Sequence, residues 1–133
     1  MTVWTALAGA ALLTAAAVVA PHAQQSQPYS GPGDYQVYCS SCHGVEGRGD
    51  GTIAKSLKKR PADLTLLSRR NNGAFPDEKV FNIIDGRKGN AHADSDMPAW
   101  SEVFNKASES AGAESTAARI DTLVKYLVTL QAK

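Results

Sequence analysis

Both cysteines of the chain fall in one stretch, Cys39-Ser40-Ser41-Cys42-His43, and these residue types bind metals, form disulfides or carry thiol chemistry. A structural zinc site needs four ligands, yet there is no further cysteine and only two other histidines, His22 and His92. His43 follows Cys42 directly, so the two converge poorly with Cys39 on one tetrahedral centre. A redox dithiol of this spacing opens a helix on a βαβ scaffold. Here the pair ends its helix, where the dipole does not favour a thiolate. A plain disulfide stays open for an exported chain. Covalent haem attachment is the remaining chemistry of Cys-x-x-Cys-His. Cysteines at i and i+3 share a helix face and reach two vinyl groups on one porphyrin edge, with His43 set to be the proximal iron ligand.

Haem iron held by one histidine leaves a second axial position. Apart from Met1 the chain has one methionine, Met97, in "DSDMPAW". Pro98 biases Met97 toward extended backbone, from which its thioether projects. Such a soft ligand favours ferrous iron and raises the potential. The ordinary alternative for a methionine is core packing, and His92 is the rival ligand, since imidazole also binds haem iron.

The elements that must position these groups read as helices. Pro32 suits a first helical position, and Tyr35, Tyr38, Cys39 and Cys42 fall at i, i+3, i+4 and i+7, with Gly44 as the stop. "GVEGRGDGT" lacks the Lys-Ser/Thr ending of a phosphate loop and a preceding strand, so it reads as a flexible turn. A second helix is expected from about Pro76 to Asp85 with Gly86 beyond it. The strongest stripe is Ile120, Leu123, Val124, Leu127, Val128 and Leu130, capped by Ser115 or Thr116. "SEVFNKASESAGAES" and the basic "KSLKKRP" read as solvated faces. No strand alternation or internal repeat is evident. The expected fold is all-α, short helices and long loops around something central.

All 14 basic and 13 acidic residues lie from Asp34 onward. Ahead of them "VWTALAGAALLTAAAVVA", residues 3–20, is uncharged and alanine-rich. It reads as an export signal ending at residue 23, although it lacks an opening Lys or Arg. The competing reading is an uncleaved anchor in the membrane. Either one places the charged part outside the cytoplasm, in a bacterial periplasm or at the outer face of the inner membrane. Residues 24–30 form a flexible lead-in, and 31–133 the domain. A net charge of +1 argues against nucleic acid as a partner. With 7% aromatics in a domain of roughly 110 residues, a flat apolar cofactor would complete a modest core.

From Gly31 to its end the chain resembles a small class I bacterial cytochrome c, through "CSSCHG" and "DMPAW". The resemblance implies an N-terminal helix crossing a C-terminal one, with Gly31 and Tyr35 meeting Tyr126 and Leu127. It implies one covalent haem c held by Cys39 and Cys42, with His43 and Met97 on the iron. It also implies a proline carbonyl that accepts the second ring N–H of His43, for which Pro61 is the candidate and helix breaking the plain alternative. Trp100 and Arg87 are candidates for the haem's surroundings, against simple packing or solvation. The chain departs from the family in Ala93 after His92 and Ser101 after Trp100. The implied function is single-electron transfer between redox proteins, with no substrate bond broken. The alternatives are a haem-bearing subunit of a dehydrogenase or oxidase complex, or a peroxidase or gas sensor if Met97 stays off the iron.

Overall fold

Helix is the only regular structure among the described residues, which are Met1, 30–87, 96–111 and 115–132 of the computed structural model. The segment 3–20, with its export and anchor readings, and the rival ligand His92 lie outside them. No helix among the described residues is long and apolar enough to cross a membrane.

The first helical stretch comes in three parts. Helix α1 (Gly31–Asp34) opens with Pro32 in its first turn, and the Ser30 hydroxyl accepts from the Gly33 N–H at 3.1 Å. A π-helical turn follows over Tyr35–Cys39, where the Ser40 N–H reaches back to the Tyr35 carbonyl, and α2 (Ser40–His43) completes the stretch. The wide turn is a departure from the plain α-helix that the spacing predicts, and π-turns of this kind gather at functional sites. After three isolated 3₁₀ turns come α3 (Asp77–Asp85), α4 (Trp100–Ala111) and α5 (Thr116–Thr129).

Helix α5 is the hub, packed against α1, α3 and α4. Its stripe of Ile120, Leu123, Val124 and Leu127 is at most 5% exposed, whereas Val128 faces outward at 42%. Of the two candidate caps Ser115 serves, accepting from the Ala118 N–H at 3.3 Å, while the Thr116 hydroxyl bonds Asn105 on α4. The crossing of α1 on α5 needs Gly31. A Cβ there would collide with the Thr122 carbonyl oxygen and come within 2.9 Å of the Tyr126 Cβ. Close contact brings the Tyr35 and Tyr126 rings to 5.3 Å. The expected crossing of the terminal helices is therefore present, with Gly31, Tyr35 and Tyr126 at it.

Helix α4 corrects in part the reading of "SEVFNKASESAGAES" as a solvated face: Glu102, Val103, Asn105 and Lys106 are exposed, but the helix also has an inner side. Its first turns bury Ser101 and Phe104 completely, worth about 1.5–3 kcal/mol for the phenyl ring alone. Ser101 donates its hydroxyl to the Asp85 carbonyl at 2.5 Å and so satisfies the C-terminal end of α3.

Three charged residues are buried, Asp34, Asp85 and Arg119, and two of them form a pair. Arg119 donates from Nε to Asp34 Oδ2 at 2.8 Å and from Nη2 to Oδ1 at 2.7 Å, tying α1 to α5. Its guanidinium carbon lies 4.1 Å from the Phe104 ring centroid and 5.2 Å from that of Tyr38. Phe104, Tyr38 and Trp100 pack mutually, with centroids 5.4 to 5.9 Å apart. Burial works against the charge on Arg119, but the bonds to Asp34 and the tyrosine outweigh it and hold the group protonated.

Candidate functional site

The helices and loops enclose a cavity of about 560 Å³, within the range that takes a cofactor-sized ligand. Its walls are largely apolar, from Leu57, Leu64 and Leu67 in the loops, Val80, Ile83 and Ile84 on α3, and Leu123 and Leu127 on α5. Cys39, Cys42 and His43 line it together with Met97, Pro98 and Trp100. Residues 54 or more positions apart in the chain thus share one chamber. Tyr35 and Tyr38 line it too, so the π-turn still delivers all four residues of the expected helix face to one side.

His43 is oriented by a backbone partner. Its Nδ1 lies 3.0 Å from the Ala62 carbonyl oxygen and donates to it, which leaves the Nε2 lone pair for a ligand. Burial pushes the imidazole below its ordinary pKa, and the bond to Ala62 opposes that in part, so the ring is a neutral donor at physiological pH. The accepting carbonyl belongs to Ala62, one residue beyond the expected Pro61. Pro61 itself lines the cavity.

The loop that reads as a flexible turn is laced to the end of the helix. The N–H groups of Gly49, Gly51 and Ile53 donate to the carbonyls of His43, Cys42 and Ser41 at 2.7, 3.1 and 3.1 Å. These are the carbonyls a helix end leaves without partners. The Tyr35 hydroxyl donates to the Gly44 carbonyl at 2.7 Å, and burial holds that phenol well above its usual pKa. Gly49 has φ +73°, and a Cβ there would strike the Pro61 carbonyl oxygen and sit 3.3 Å from the Ala62 carbonyl carbon. Gly49 therefore sets how closely the 61–62 backbone approaches His43. Sequence reasoning misses both Gly49 and Ala62; the alternating glycines are the signal that could have found the first.

Burial pushes the Cys39 thiol up to about 12, with Asp34 and Cys42 adding to the effect. A thiol so placed makes a poor attacking thiolate, unlike that of a redox dithiol. Among the described residues no three His, Cys, Asp or Glu side chains converge as a metal cluster would require. The donors lining the cavity for a metal are one imidazole and one thioether, besides the two thiols and the exposed Asp96 carboxylate, whose Oδ2 accepts from the Lys58 N–H. That donor set and the apolar walls fit a haem. Trp100 lines the cavity; Arg87 does not. Its guanidinium bonds the buried Asp85, with Nη2 to Oδ1 at 2.7 Å and Nε to Oδ2 at 3.0 Å.

The architecture is all-α and cytochrome c-like, with the terminal helices crossing beside one apolar chamber. Among solved structures the chain is similar to one from the reducing HAO-like protein complex of Kuenenia stuttgartiensis, with a TM-score of 0.53 and 24% sequence identity over 76% of this chain. The chain spans 41% of that one's length. No protein-family model and no curated protein matches the chain.

Proposed function

We propose that the protein is an exported monohaem c-type cytochrome that passes single electrons between redox proteins. The observation that carries this is the meeting of Cys39, Cys42, His43 and Met97 on one apolar cavity. Cys39 and Cys42 would hold the group by adding their S–H bonds across its two vinyl groups, with no electron lost or gained. His43 Nε2 and the Met97 sulfur would hold the metal. When bound, the haem supplies exchange of one electron between Fe(III) and Fe(II). The chain keeps the His43 ring at a fixed angle through Ala62, and its apolar walls exclude water, which favours the less charged reduced state. No general acid, base or nucleophile is required, so no substrate bond is broken. Residues 3–20 supply the export or anchoring segment.

Lys59 and Arg60 line the cavity, and with Lys58 they form a basic rim for an acidic redox partner. The net charge of +1 limits long-range steering, so docking rests on this local patch. A second reading is favoured by the similar solved structure, a longer chain from a protein complex. In that reading the domain is a haem-bearing subunit of a larger redox assembly, and purification of the native complex separates the two.

The optical spectrum of the oxidised protein tests the ligand set. A Met–iron charge-transfer band that disappears in Met97→Ala is the expected result. A high-spin spectrum in the wild type would support a peroxidase or gas sensor instead.

A further inference from the structure

One hydrogen bond joins two distant segments of the cavity wall. The Lys58 N–H donates to Asp96 Oδ2 at 2.7 Å, across 38 positions of sequence. On one side of that bond the chain runs from Leu57 through Lys59 to Ala62, whose carbonyl orients His43 at 3.0 Å. On the other side Asp96 immediately precedes Met97. Leu57, Lys59, Ala62, Asp96 and Met97 all line the cavity. Asp96 is exposed, so burial does not dictate where its carboxylate goes. A backbone N–H bonded to a carboxylate is of the stronger, charge-assisted kind.

We propose that Asp96 is a positioning residue for the axial pair, a latch that holds the Met97 segment against the strap that orients His43. The inference rests on the His43/Met97 reading of the site. Beyond Met97 the chain is fixed by Trp100 and Phe104, which pack with Tyr38. Asp96 ties the chain to the strap on the other side of the sulfur. Without that bond the Met97 segment is held less firmly against the strap, and an outside ligand displaces the sulfur more readily.

The test uses the haem-loaded wild type, Asp96→Ala and Asp96→Asn, titrated with imidazole while the Met–iron band is followed. Loss of an exposed charge-assisted bond should raise imidazole affinity about three- to tenfold in Asp96→Ala. Asp96→Asn, which keeps a neutral acceptor, should fall between. In a Met97→Ala background Asp96→Ala should change imidazole affinity no further, which a general loosening of the fold would not reproduce. Hydrogen exchange at the Lys58 amide reads the bond itself and should quicken in Asp96→Ala. Unchanged imidazole affinity in Asp96→Ala overturns the latch, whatever the amide does. A wild type that lacks the Met–iron band overturns the ligand reading, and that failure is visible before any variant is made.

Discussion

Replacing Arg119 by methionine should remove a large share of the protein's stability. The side chains of Arg119 and Asp34 are 3% and 9% exposed, and both of their bonds are shorter than 3 Å. Arg119→Met keeps the length of the stem and its packing on Phe104, but leaves a carboxylate without its cation in the core. Breaking a buried pair in this way costs about 3–5 kcal/mol. For a domain near 100 residues that corresponds to a fall in Tm of at least about 12 °C. Asp34→Ala should cost a comparable amount by stranding the guanidinium. The double variant should lose less than the sum of the singles, by roughly 1–3 kcal/mol. Urea is the suitable denaturant, because guanidinium salt screens charge. The reasoning is refuted if either single costs under about 1 kcal/mol, or if the double-mutant cycle is additive within about 0.5 kcal/mol.

Gly49→Ala should destabilise the protein by about 1–3 kcal/mol and perturb the His43 ligand field, because its Cβ drives the Pro61–Ala62 backbone away; urea unfolding and the visible spectrum read the two effects. Asp63 accepts from the Thr65 N–H and hydroxyl at 2.9 and 2.6 Å, and the side-chain bond from Thr65 holds its carboxyl below the ordinary 3.8. Its contribution is therefore present above about pH 3.8 and lost as pH falls through the lower folded value. The stability gap between wild type and Asp63→Asn should shrink in acid, and a gap independent of pH would contradict this. Charge reversal at Lys58 and Lys59 together should slow reduction by an acidic partner at low salt and matter little at high salt. Stopped-flow rates across ionic strength decide it.

Much of this fold is legible locally. The stripe from Ile120 to Leu127 announces α5, Gly86 marks the end of α3, and Cys39 to His43 mark one wall of the cavity. Helix α4 escapes because the acidic, small residues of its second half dilute the Trp100, Val103 and Phe104 pattern at its start. The Asp34–Arg119 pair escapes for a different reason. Its members stand 85 positions apart, and nothing in either neighbourhood separates them from surface charges. The acceptor for His43 is a backbone carbonyl, a group every residue carries, so sequence locates it to within one position at Pro61. The lacing of residues 44–53 depends on helix-end carbonyls that have no side-chain signature, which is why a tight loop reads as a flexible one.

The most direct test of the central claim is the intact mass of the purified mature protein, expressed with the haem-attachment machinery, alongside the Cys39→Ala/Cys42→Ala variant. We expect the wild type to carry the mass of one haem through denaturation and the double variant to lose it. A wild-type polypeptide with no added mass and no haem absorption would contradict the account.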